Sequence, residues 1–302
     1  MKLISRLLLG LAASLIALPV FAAEITHAMG VTDVPDDPQR VIVLTNEGTE
    51  ALLSMDVMPV GAANSWVGDP WYDHIDAAME GVEPVGKENA VNLELIATLE
   101  PDLVLGNKQR HEEIYAQLSA IAPTVVSERL RGDWQENFAL YAAAIGRSAE
   151  GEAIMQAYRD RVAALSDALG AAKEEEVSVI RFLAAQIRIY QKDSFSGVLL
   201  DQLGFARPEN QDVDDFALRV GKESIPDMDG DRIFHFTYDT GDGDGSAAAA
   251  DAMSDPLWQS LSAVQAGRVH AVQDTVWNTA GGVLAAHLML DDIARIYGVA
   301  GE

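Results

Sequence analysis

Between residues 41 and 127, short apolar runs alternate with segments of helical period. The runs 41–44, 59–62, 102–105 and 124–126 are brief and bounded by turn-forming residues, whereas 47–55, 92–99 and 111–121 carry apolar side chains at helical spacing. This alternation predicts a mostly parallel sheet wrapped by helices. From 149 to about 172, Ile154, Tyr158, Val162, Leu165 and Leu169 recur at steps of four, four, three and four, painting one stripe on a helix about 33 Å long. The polar run Lys173-Glu174-Glu175-Glu176 closes it. A second α/β pattern follows, with strands at 177–183, 187–190, 233–238 and 269–272 and helices at 197–203 and 283–296. The expected architecture is α/β: two lobes with mostly parallel sheets, 23–147 and 174–302, joined by one long helix at 148–173.

Residues 1–22 read as a secretion signal. Lys2 and Arg6 precede an apolar run at 7–20, and Val20-Phe21-Ala22 supplies small-residue spacing for cleavage. The run is too short to cross a hydrocarbon core of about 30 Å. The 302 residues hold no cysteine, which removes disulfides, thiolate chemistry and a lipidated cysteine at the cleavage site. The expectation is a cleaved, unlipidated, periplasmic monomer without direct membrane insertion.

The net charge of −26 becomes more negative still once Lys2 and Arg6 leave with the signal. Such a surface repels nucleic acid and anionic lipid, so any anion site must be built locally from a few placed cations. Lys108 and Arg110 follow the strand 102–105 and Lys87 follows 85–86, where ligands of open parallel sheets gather. Arg181 and Arg188 interrupt apolar strands, where an arginine is costly without an acid or a ligand. An internal Arg–Asp pair and a ligand's oxygens are equally good partners for each. Trp66, Tyr190 and Trp277 are the aromatic residues chosen as walls for the organic part of a ligand.

The six histidines form no close pair, so a bare-metal site has no local signature; His111 alone adjoins the cationic loop. Thr240, Asp242, Asp244, Gly245 and Asp251 loosely follow a calcium-loop spacing, with a flexible acidic loop as the better reading. No nucleophile–base motif is visible, and no catalytic residue, protein-bound metal or cofactor is assigned.

Several blocks resemble the iron-siderophore substrate-binding proteins of ABC transporters. They are Asn92-Leu93-Glu94-Leu95-Ile96-Ala97-Thr98-Leu99-Glu100-Pro101-Asp102-Leu103-Val104, then Lys108-Gln109-Arg110-His111-Glu112-Glu113-Ile114-Tyr115, Asp255-Pro256-Leu257-Trp258 and Val264-Gln265-Ala266-Gly267-Arg268-Val269. The resemblance implies two Rossmann-like lobes, a rigid connecting helix, little hinge motion and no catalysis. It implies a cleft that captures an anionic ferric-siderophore of carboxylate or hydroxamate type through Lys87, Lys108 or Arg110 and Arg181 or Arg188. Iron is then carried inside the ligand. It further implies docking to an ABC permease through Glu94 and Glu223. The alternatives are a haem, corrinoid or bare transition-metal binder of the same fold, or an exported α/β hydrolase.

Overall fold

A computed structural model describes residues 22–301. The signal expected at 1–22 lies outside them, apart from Ala22, which opens the first strand. That strand, β1 (Ala22–His27), forms an antiparallel hairpin with β2 (Gly30–Pro35). It escapes sequence reading because its alternation is weak.

The first lobe holds β3 (Val41–Val43), β4 (Gly61–Asn64), β5 (Glu83–Lys87), β6 (Ala90–Val91), β7 (Leu103–Asn107) and β8 (Thr124–Ser127), in the order β6-β5-β4-β3-β7-β8. Every pairing is parallel except β5 with β6. The period of two sorts side chains between the faces. Val41, Val43, Leu103 and Leu105 pack in one core with the helices Asn46–Ser54 and Trp134–Ala144, while Ile42, Leu44 and Val104 face Ile96 and Leu118 of the helices Leu93–Thr98 and Tyr115–Ile121. A sheet buried on both faces needs the unbroken apolar runs seen in the sequence.

The connecting helix spans Ser148–Leu169, 22 residues or about 33 Å. Its buried stripe is Gly151, Met155, Tyr158, Val162, Leu165 and Leu169. Met155 therefore takes the place expected for Ile154.

The second lobe is built on β9 (Val177–Leu183), β10 (Gln186–Tyr190), β11 (Ala217–Val220), β12 (Arg232–Thr237) and β13 (Val269–Ala271), ordered β11-β10-β9-β12-β13. Here β9, β12 and β13 run parallel, but β9–β10 and β10–β11 are antiparallel. The reason is local. Only Ala184 and Ala185 separate β9 from β10, and a two-residue turn permits only a hairpin. Ile180, Phe182, Ile187 and Ile189 line one face, and Val177, Val179, Arg181, Arg188 and Tyr190 fall on the other by the same alternation.

The closing helix Val283–Tyr297 packs on both the connecting helix and the helix Asn46–Ser54. Buried Glu50 ties it to the first lobe: Oε2 accepts from the backbone N of Ala285 at 2.9 Å, satisfying a first-turn N–H. The glycine- and alanine-rich stretch read as a flexible loop is ordered, because residues Asp244–Ser254 form a helix. The Asp239 carboxylate accepts from the backbone N of Gly241, Gly243 and Ser246 and from the Ser246 hydroxyl. Four donors from the loop thus hold this carboxylate. Among the described residues, no helix is long and apolar enough to cross a membrane.

Candidate functional site

Ligands of open parallel sheets bind beyond the carboxyl ends of the strands. In the first lobe each such end delivers one side chain to a common cavity: Glu47 after β3, Trp66 after β4, Glu88 after β5, Arg110 after β7 and Arg131 after β8. From the second lobe come Arg181, Arg188, Phe216, Tyr238 and Asn278. The cavity measures about 320 Å³ and lies between the lobes. Arg110, Arg181, Arg188 and Trp66 thus converge as expected.

The four guanidiniums differ in what already holds them. Arg181 is buried and paired with buried Asp274: Nη2 donates to Oδ2 at 2.8 Å, Nε lies 2.7 Å from Oδ1 without hydrogen-bond alignment, and the guanidinium lies 4.7 Å from the Tyr238 ring centroid. The internal Arg–Asp pair is therefore real for Arg181. Arg110 sits 5.6 Å from the Trp66 centroid with Nε 3.7 Å from Glu88 Oε2. Arg188 lies 5.9 Å from the Phe216 centroid with its buried Nε unpartnered, and Arg131 lies 4.4 Å from the same ring. Neither Arg131 nor Arg188 forms a salt bridge among the described residues, so both retain charge for a ligand.

Sheet register concentrates that charge. Arg181 on β9 lies directly opposite Arg188 on β10, which lies opposite Arg219 on β11. Like charges placed opposite are destabilising, so this row costs stability unless an anion or Asp274 compensates it.

Two buried carboxyls share the wall. Glu88 Oε1 accepts from the backbone N and Nδ2 of Asn46 at 2.7 and 2.8 Å. Burial raises its pKa, while Asn46 and Arg110 oppose the rise. Among the described residues Glu47 pairs with no cation; its Oε1 accepts from Asn137 Nδ2 at 2.8 Å and from the Tyr141 hydroxyl at 3.2 Å. Burial, reinforced by the charge of Glu88, holds Glu47 well above the usual carboxylate range. Burial thus disfavours the charged form of Glu47 in the wall that also carries the arginines.

Four expected residues fall outside the cavity. Lys87 is the exposed neighbour of Glu88, and strand alternation sends the two to opposite sides. Lys108 is about 200° around the helical turn from Arg110 and pairs with Glu128 at 2.8 Å. Tyr190 is fully buried, 5.2 Å from Phe216 and 5.6 Å from Phe236 between ring centroids. Trp277 stacks on Phe234 at 4.6 Å and donates through Nε1 to Asp292 at 3.0 Å. Both are core residues. His111 is also structural: its Nδ1 accepts from the backbone N of Asn107 at 3.0 Å and its Nε2 donates to the Glu88 carbonyl at 2.9 Å. Among the described residues, no group of three or more His, Asp or Glu side chains is placed to hold a metal ion. Arg131, Arg219, Phe216, Tyr238 and Asn278 were not anticipated.

The model of the periplasmic binding protein family matches residues 41–275. The chain belongs to the periplasmic binding protein family. The binding protein is 49% identical over 282 residues to the probable siderophore-binding lipoprotein YfiY of Bacillus subtilis, covering 90% of this chain and 87% of that one. It is 32% identical over 270 residues to the achromobactin-binding periplasmic protein of Dickeya dadantii, covering 87% and 88%. Staphylococcus aureus SirA complexed with staphyloferrin B superposes with a TM-score of 0.87 at 32% identity, over 93% of this chain and all of that one. These likenesses agree with the two-lobed α/β fold.

Proposed function

We propose that this binding protein captures an anionic ferric-siderophore of carboxylate or hydroxamate type between its lobes and delivers it to an ABC permease. One observation carries the reading: four guanidiniums from both lobes, two of them without a salt bridge among the described residues, face one cavity in a strongly acidic protein. Guanidiniums suit bidentate contact with carboxylate oxygens, and Trp66, Phe216 and Tyr238 supply faces for organic linkers. The siderophore-binding relatives support the same cargo class. Iron is held by the chelate, with the protein neutralising its outer oxygens, and no catalytic step is involved.

The relatives' extracytoplasmic setting supports an exported protein, and the cysteine-free sequence supports one without a lipidated cysteine. Glu94 and Glu223 are exposed acids in the first turns of the helices Leu93–Thr98 and Lys222–Met228, one on each lobe. They are the proposed contacts to permease cations. Charge reversal at either abolishes uptake with ligand affinity intact; a variant that still supports full uptake contradicts this role.

The test of cargo is titration with a panel of ferric chelates, following quenching of tryptophan fluorescence. One chelate binding at one to one with Kd below roughly 10 μM, about −7 kcal/mol, and weakening with salt is expected. A panel with no such binder refutes the reading.

A further inference from the structure

The loop between β8 and the helix Trp134–Ala144 reaches across the cleft and touches the second lobe at two points. Arg129 is fixed on its own lobe by Asp133, Nε to Oδ2 at 2.7 Å and Nη2 to Oδ1 at 2.6 Å, and its carbonyl accepts from Asn137 Nδ2 at 2.8 Å. The remaining nitrogen, Nη1, donates to Asp193 of the second lobe. Two residues on, the Arg131 guanidinium lies 4.4 Å from the centroid of Phe216, also of the second lobe. The two anchors are themselves joined. The backbone N of Lys192 donates to the Val213 carbonyl at 3.1 Å and that of Asp193 to Asp215 at 3.0 Å, binding the Asp193 turn to the segment that enters Phe216.

The intervening backbone is shaped for this reach. Arg131 has φ +94°, a conformation long side chains rarely adopt and one that persists only where surrounding contacts impose it. A Cβ at Gly132 would meet Asp193 Oδ1, so glycine lets the loop pass close to that side chain. The Leu130 backbone N is held by Gln109 Oε1 at 3.1 Å, on the same turn that carries Arg110. A loop so held places Leu130 and Arg131 in the lining of the cavity.

We propose that Arg129 and Asp193 form an inter-lobe clamp that positions Arg131 as a cargo-binding residue and so sets how slowly the cargo leaves. Arg131 touches the ligand; Arg129 and Asp193 are positioning residues. The inference rests on the siderophore-binding reading for its cargo, but the clamp can be tested without any ligand. Asp193→Asn keeps the shape and removes the charge, and Arg129→Lys keeps the charge and removes the fork that grips both aspartates.

In the ligand-free protein, hydrogen exchange at the amides of residues 130–133 should accelerate at least fivefold in both variants, with exchange in β8 and β9 unchanged. Unchanged exchange at 130–133 overturns the clamp. In stopped-flow dissociation of ferric staphyloferrin B or ferric citrate, whichever binds more tightly, Asp193→Asn should release about tenfold faster. In an Arg131→Ala background the same change should add less than twofold, because the residue it positions is gone. Equal acceleration in both backgrounds overturns the positioning role. Failure of the unaltered protein to bind either chelate would count against the cargo reading, and the exchange measurement then decides the clamp alone.

Discussion

Arg188→Met and Arg181→Met remove the same charge from adjacent points of one cavity, and the structure assigns them opposite consequences. Arg188 has no internal carboxylate and lies across from Arg181, so its loss relieves a like-charge contact and leaves no acid unpaired. What it loses is a charge-assisted hydrogen bond to the ligand, worth about 1.5–3 kcal/mol, or roughly 10- to 150-fold in Kd. Arg181→Met instead strands Asp274, whose side chain is 8% exposed. Breaking a buried pair in this way costs about 3–5 kcal/mol of stability, a fall in Tm on the order of 10 °C for a chain of this size. Adding Asp274→Asn to Arg181→Met should recover most of that loss. The assay pairs thermal unfolding of the free protein with fluorescence titration by the tightest ferric chelate at two salt concentrations. Arg188→Met should unfold like the unaltered protein yet bind weakly, with a shallower salt dependence. Unaltered affinity in Arg188→Met would refute the electrostatic account of the cavity, and unaltered stability in Arg181→Met would refute the buried pair.

Lys87→Ala and Lys108→Ala, whose side chains lie outside the cavity, should leave chelate affinity within twofold of the original; a tenfold loss in either would place that lysine at the ligand. Burial holds the His111 imidazole down to about 4 against an ordinary 6.5, so the folded state binds fewer protons than the unfolded chain between those values. Its stability contribution is present above pH 6.5 and lost as pH falls toward 4, roughly 3 kcal/mol in all; His111→Gln should flatten urea-derived stability across that window, and an unchanged slope would contradict the assignment. Glu47 has the opposite sign. Its raised pKa gives stability that is present below the ordinary 4.5 and lost as pH rises through the folded value. Glu47→Gln should then be at least as stable as the original at pH 7 and above, and marked destabilisation there would show that the carboxylate form is needed.

Features that follow from local period were legible before any coordinates. The βαβ alternation, the long connecting helix and the two strand arginines were each visible because a charge or an apolar stripe breaks or keeps a period of two or 3.6. Facing direction was harder. Lys87 and Glu88 are adjacent, as Lys108 and Arg110 nearly are, and the loop phase that turns Glu88 and Arg110 inward is set by packing and not by composition. Trp277 and Tyr190 stand at element ends where sequence favours a ligand wall, yet the Thr275–Thr279 turn and β10 bury both. Arg131 and Phe216 come from irregular segments with no period to read, Tyr238 follows directly on β12 where the period marks a strand end and not a cavity wall, and the Arg129–Asp193 contact joins residues 64 apart in the chain. Arg219 could have been found: once β10 and β11 are paired, register alone places it beside Arg188.

The most direct test of the central claim is an anomalous-difference map at the iron edge from crystals of the ferric-siderophore complex. Iron should lie in the cavity between the lobes, ringed by the guanidiniums of Arg110, Arg131, Arg181 and Arg188, with every coordinating atom supplied by the chelate. Iron ligated by Glu47 or Glu88, or located away from these arginines, would contradict it.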